Sequence, residues 1–217
     1  VRWEKCPRCQ ARIRQLGLRD KDGYTAEHYL QGYVTDRIGK YLAERGRRII
    51  GWDEILEGQA PSDAIVMSWR GSAGGIKAAK LGHDVIMTPN SHFYFDYYQS
   101  PDADAEPFGI GGCVTIDKVY SFDPMADLTP GQQAHILGVQ ANLWTEYIAD
   151  IRHAQHMVLP RMAALAETGW ANDRKDYNDF VRRIPALVAV YKAEGYNYAP
   201  YPVSYTHLRA HETELHL

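Results

Sequence analysis

A chain of 217 residues with 45% hydrophobic and 12% aromatic side chains can build one sizeable core, or part of a larger domain. Its formal charge of −3 and pI near 6.3 give no electrostatic footprint for nucleic acid. Its apolar runs all fall short of the ~18 residues that cross a bilayer.

The chain opens VRWEKCPRCQ, with neither an initiating Met nor the apolar stretch of a signal peptide, so the true start is expected upstream. The three cysteines are Cys6, Cys9 and Cys113, an odd count that argues against a complete disulfide framework. Cys6-Pro7-Arg8-Cys9 has the spacing of a metal knuckle or a redox pair. Zinc needs two more ligands and no second CxxC follows, so a turn holding two semi-buried thiols is expected, with no metal.

Residues 25 to 45 are predicted to form a helix capped by Thr25 and ended by Gly46, with Leu30, Tyr33, Val34, Ile38, Tyr41 and Leu42 as its apolar stripe. Four strands are predicted: RRIIGW (47–52), AIVMSW (64–69), DVIMTP (84–89) and HILGVQANLW (135–144). A short helix, GSAGGIKAAKLGH, separates the second from the third. NSHFYFDYYQ continues from the third strand, and residues 100 to 114 form a Gly/Pro/Asp-rich loop too long for a plain connector. Two helical stretches close the chain, about 145 to 168, kinked at Pro160, and 174 to 194.

Short apolar strands alternating with helix-sized connections indicate an α/β fold on a parallel sheet covered on both faces. In such folds the ligand site lies beyond the carboxyl ends of the strands. Those ends carry Trp52, Trp69, Tyr94 with Asp96, and Trp144 with Glu146. Three of the five tryptophans thus occupy equivalent places, which favours a pocket over scattered core packing. Flat rings with carboxylates between them suit a pyranose sugar, whose C–H faces stack while its hydroxyls donate to Asp and Glu. The glycine cluster GSAGG (71–75) lacks the spacing of a nucleotide site.

The segments IIGWDEILEG, VMSWRG, GHDVIMTP, YFDYYQ, GVQANLWTEYI and VLPRMAALAETGW together resemble glycoside hydrolase family 20, the β-N-acetylhexosaminidases. The resemblance runs over about residues 1 to 201. It implies a partial (β/α)8 TIM barrel in which this chain supplies strands five to eight. It further implies that Trp52, Trp69 and Trp144 wall the sugar subsite. Tyr94 would donate its hydroxyl to the acetamido oxygen, and Asp96 and Glu146 would bind sugar hydroxyls.

The family's reaction is retaining and substrate-assisted. The acetamido oxygen attacks the anomeric carbon, an Asp orients that group, and the neighbouring Glu protonates the leaving oxygen. The resemblance aligns Trp3, Cys6, Pro7, Cys9 and Gln10 with a segment just past that Asp–Glu pair, so the general acid is expected upstream and the chain alone is expected to be inactive. No cofactor is implied. The implied partners are N-acetyl-hexosamine glycans bearing terminal GlcNAc or GalNAc, and the implied location is periplasmic or secreted.

Asp53–Glu54 is therefore not read as the catalytic pair. On an extended chain the two side chains would point to opposite faces, and both are expected to hold neighbouring loops. In the loop at 100 to 114, Phe108 is the only aromatic residue that could cover the sugar. The last stretch, VSYTHLRAHETELHL (203–217), places His207 and His211 at i,i+4 but contains no HExxH. It resembles adaptor-derived tails, and residues 202 to 217 are expected to be a non-native or disordered appendage.

A glycosidase is thus weighed against a non-catalytic carbohydrate-binding module with the same aromatic box, and against a fragment that does not fold alone. Half a barrel leaves open edges and bare inner faces, so the isolated chain is expected to dimerise or aggregate.

Overall fold

The structure, a computed structural model, describes residues 2 to 201. The tail at 202–217, with His207 and His211, lies outside the described residues. In chain order the elements are α1 (Pro7–Leu16), α2 (Ala26–Ala43), β1 (Ile50–Trp52), β2 (Ile65–Ser68), α3 (Ala73–Lys80), β3 (Val85–Met87), α4 (Asn90–Phe93), α5 (Ile116–Ser121), α6 (Pro130–Gln133), β4 (Ile136–Val139), α7 (Ile151–Val158), α8 (Arg161–Trp170) and α9 (Tyr177–Ala193). The described chain divides into two compact units, residues 2–87 with 127–137, and 88–126 with 138–201.

The sheet, an α/β arrangement, has strand order β1-β2-β3-β4, with β1 to β3 and the first half of β4 belonging to the first unit. β1 and β2 run parallel with Ile50 opposite Ile65, and β2 and β3 run parallel with Val66 opposite Val85. The His135 carbonyl, just before β4, accepts from the Val85 N–H at 2.8 Å. Val66, Val85 and Met87 are fully buried, as expected for short strands covered on both faces. α3 lies close on this sheet through Gly75, where a Cβ would sit 2.7 Å from Met87 Sδ.

α2 begins at the predicted Thr25, which forms a capping box with His28, and Gly46 follows it in a left-handed conformation (φ +66°). Its packing departs from the predicted stripe. Val34, Ile38 and Tyr41 are exposed, at 41%, 49% and 56%. The buried face is Leu30 with Gly32 and Gly39. A Cβ at Gly32 would stand 2.7 Å from Gln59 N, and one at Gly39 2.8 Å from Pro61 Cγ. Missing side chains, rather than apolar ones, let this helix approach its neighbour.

In the second unit, residues beyond the strands pair again after an interruption. Thr88-Pro89 breaks the ladder where proline has no N–H, and α4 makes one turn. Tyr94 then bridges Asn142 in parallel, with Phe95 N–H donating to Asn142 O at 2.7 Å and Asn142 N–H to Phe93 O at 2.8 Å. The fourth strand is consequently shorter than the predicted 135–144, and Trp144 stands on the loop past it. The predicted helix at 145–168 is two helices, α7 and α8, separated at the cis Leu159–Pro160 bond. α5 and α6 were not foreseen. α9 turns Phe180, Ile184, Val188 and Tyr191 inward, and Phe180 packs on Tyr120 with the rings tilted by 31° and centroids 4.8 Å apart.

Candidate functional site

In the first unit, Trp52 ends β1 and Trp69 follows β2 directly. Asp53 and Glu54 do not continue the strand. They open a 3-10 turn, Asp53–Glu57, so the expected alternation of an extended chain does not apply. Both carboxylates face the loop after β2. Asp53, 1% exposed, accepts from Arg70 Nε at 2.6 Å and from the Trp69 and Arg70 N–H groups at 3.2 and 3.3 Å. Glu54 accepts the Trp69 indole N–H at 2.9 and 3.1 Å. Glu57 takes the second arm of Arg70 at 2.5 Å. The acid pair thus fixes the indole and backbone of Trp69.

α3 seals this arrangement, because a Cβ at Gly74 would lie 2.6 Å from Asp53 Oδ2. Asp53→Ala is expected to cost about 1–3 kcal/mol of stability, since it leaves two loop N–H groups without their acceptor and takes from half-exposed Arg70 one of its two carboxylate partners, Glu57 remaining. Denaturant unfolding reads this. A loss under about 0.5 kcal/mol, typical of a bland surface change, would rule the anchor out.

In the second unit, the Tyr94–Asn142 bridge positions the next cluster. Tyr94 is 8% exposed and meets Trp144 edge to face, with centroids 6.3 Å apart, and Tyr97 at 5.7 Å. Asp96, Trp144, Glu146, Tyr147, Gly109 and His153 line an open pocket of about 230 Å³ including its mouth. Phe108, 76% exposed, packs its edge on Tyr147 at 5.5 Å.

Asp96 is 5% exposed, and its Oδ1 is buried without a hydrogen-bond partner. Burial raises its carboxyl above the usual range. The N–H groups of Asp96 and Trp144 and the Arg161 charge oppose that shift, and Glu146 adds to it.

Arg161 escaped the sequence reading. It is 0% exposed, and its Nε donates to Met157 O at 2.9 Å. Its Nη groups donate to the carbonyls of Phe95, Tyr97, Tyr98 and Val114. Burial pulls its pKa down to about 9, so it stays charged at neutral pH. A buried Glu106 pins the 100–114 loop by accepting from Gln99 N, Ser100 N and His156 Nε2 at 2.9, 2.6 and 2.9 Å.

Among the described residues no cluster of three or more His, Cys, Asp or Glu could hold a metal, and no helix is long and apolar enough to cross a membrane.

Beyond its parallel strands the first unit carries Trp52 and Trp69, and the second unit carries a buried acid, Asp96, at a pocket with Trp144 and Tyr147. The chain belongs to glycosyl hydrolase family 20, whose catalytic-domain model matches residues 1–173. A beta-hexosaminidase of Porphyromonas gingivalis is 43% identical over 200 residues, covering 91% of this chain and 25% of that protein. One from Vibrio furnissii is 29% identical over 170 residues, covering 77% and 27%. The structure of the exo β-N-acetylglucosaminidase of Vibrio harveyi in complex with N-acetylglucosamine superposes with a TM-score of 0.78 at 28% identity, over 92% of this chain and 31% of that one. The chain spans about a quarter of the length of the curated relatives it matches.

Proposed function

We propose that this chain forms the sugar-binding half of a glycoside hydrolase that removes terminal N-acetyl-hexosamine residues by substrate-assisted, retaining catalysis. In this reading it supplies strands five to eight of a (β/α)8 barrel. Trp52, Trp69 and Trp144 wall the subsite, Tyr94 donates to the acetamido oxygen, and Asp96 and Glu146 accept from sugar hydroxyls.

The observation that carries the reading is the unpartnered Asp96 Oδ1, buried at a pocket beside Trp144 and Glu146. A buried acceptor left open is costly in a fold without a ligand, and a sugar hydroxyl would satisfy it. The names of the matched proteins, beta-hexosaminidases and an exo β-N-acetylglucosaminidase bound to N-acetylglucosamine, supply the substrate class. Asp53 and Glu54 are occupied by Arg70 and Trp69, which supports a scaffold role rather than acid and orienter.

The test is turnover of an aryl N-acetyl-β-glucosaminide. The full-length gene product is expected to cleave it, and the 217-residue chain alone is not, because no residue in it is assigned as general acid. Turnover by the chain alone, abolished by Glu54→Gln, would overturn that assignment. Binding without turnover by the full-length product would favour the carbohydrate-binding module.

Asp96→Asn gives a second readout. An acid whose folded pKa is raised binds more protons in the folded state across the window from the ordinary carboxylate value up to the raised one. Stability therefore falls as pH rises through that window, and the loss persists at neutral pH. Asp96→Asn is expected to raise Tm at pH 7, to lose that advantage below the carboxylate range, and to weaken sugar binding about tenfold. A lowered Tm with unchanged binding would make Asp96 structural.

A further inference from the structure

We infer that His153 is a specificity-determining residue of the Asp96 pocket, donating its Nε2 proton to a hydroxyl oxygen of the bound sugar. The inference rests on the sugar-binding reading above and adds to it a donor for the same ligand that the acceptor Asp96 meets.

His153 stands in the first turn of α7, whose N-cap is Asp150. Two contacts tether it. Its backbone N–H donates to the Asp150 carboxylate at 2.8 Å, and its Nδ1 accepts, at a long 3.4 Å, from the Ala149 N–H. A ring nitrogen that accepts carries no proton, so in the neutral imidazole the proton sits on Nε2. Nε2 is buried and has no hydrogen-bond partner. A donor in that position is costly until an acceptor reaches it.

The pocket that His153 lines also holds the unpartnered Oδ1 of Asp96. The two do not satisfy each other, since neither atom has a partner. An ionised carboxylate only accepts, and the Nε2–H only donates. One open acceptor and one open donor in a single pocket match the hydroxyls of a sugar, which donate and accept alike. Thr168 Oγ1 and Asn172 Oδ1 are also buried without partners, but their residues do not line this pocket.

α7 also builds the pocket wall. Met157, one turn past His153, lines it too, and His156 Nε2 holds Glu106 at 2.9 Å. Glu106 accepts from the N–H groups of Gln99 and Ser100, where the loop that contributes Gly109 and Ile110 begins. The donor is thus carried by a helix that also fixes the facing loop, as a preorganised binding group requires.

The experiment measures the affinity of the full-length gene product for N-acetylglucosamine by titration calorimetry, with Tm alongside. His153→Gln puts an amide NH2 near the place of Nε2 and gives up the Ala149 contact. His153→Asn keeps an acceptor near the place of Nδ1 and presents nothing at Nε2. His153→Asn is expected to bind about five- to tenfold more weakly with Tm little changed, and His153→Gln to bind within about twofold of the parent. Across a set of monodeoxy analogues of the sugar, the His153→Asn loss should vanish for the one lacking the hydroxyl that Nε2 meets. Rescue by Asn and not by Gln, an equal loss against every analogue, or a lowered Tm with unchanged affinity would make His153 a tether of α7 and overturn the inference. Weaker binding in Asp96→Asn with none in His153→Asn would overturn it and leave the sugar-binding reading standing. A parent protein that does not bind the sugar would overturn both.

Discussion

Arg161→Met is expected to destabilise the protein by about 3–5 kcal/mol, the cost of deleting one side of a buried charged network. The Arg161 guanidinium donates to five backbone carbonyls, those of Phe95, Tyr97, Tyr98, Val114 and Met157. Methionine fills a similar volume, so a cavity is not the issue. The loss comes from buried carbonyls deprived of this donor, although Tyr98 O keeps the Val114 N–H at 2.8 Å. Removing a buried cation relieves some desolvation, which is why the figure stays well below the sum over five bonds. Arg161→Lys keeps the charge but presents one ammonium in place of a planar fork, so it should recover only part of the loss. Chemical denaturation of the full-length gene product checks both variants. A loss under about 1 kcal/mol for Arg161→Met would mean that water or rearranged backbone replaces the guanidinium.

That network marks where reading the sequence stops. The four strands were visible because each is a continuous apolar run, and the helix boundaries at Thr25 and Gly46 because capping is local chemistry. Hydrophobicity alone misplaces the buried face of α2, because Gly32 and Gly39 set the contact by having no side chain. The turn at Asp53–Glu57 was hidden because IIGWDE reads equally well as strand, and the ion pair with Arg70 that bends it spans 17 positions in sequence. α6 has a local signal in the sequence, Thr129 and Gln132 closing a capping box around Pro130. Arg161 carried none, since its partners are backbone carbonyls that no side-chain pattern announces. A charged residue inside the apolar run VLPRMAALA was the available hint. Of the six candidate site residues, Tyr94, Asp96, Trp144 and Glu146 fall in one unit, where Asp96, Trp144 and Glu146 share a pocket and Tyr94 contacts Trp144. Trp52 and Trp69 fall in the other.

Trp144→Ala is expected to weaken binding of a thiazoline analogue of N-acetylglucosamine by roughly 2–4 kcal/mol, the scale of a buried aromatic anchor at a binding site. Trp144 stands on the loop after β4, 41% exposed, with its ring edge-to-face on Tyr94. An indole this exposed contributes modestly to the core, so its truncation should leave folding largely intact while removing the apolar face on which a pyranose would stack. Stability and affinity therefore separate in this variant, unlike in Arg161→Met. Tyr94→Phe supplies the matching control. It keeps the ring against Trp144 and removes only the hydroxyl, so turnover should fall more than ground-state binding if that hydroxyl serves the cyclising acetamide. Titration calorimetry on the full-length gene product measures the first effect, and steady-state kinetics the second. Unchanged affinity in Trp144→Ala would make the indole a packing residue of Tyr94 and remove it from the sugar subsite.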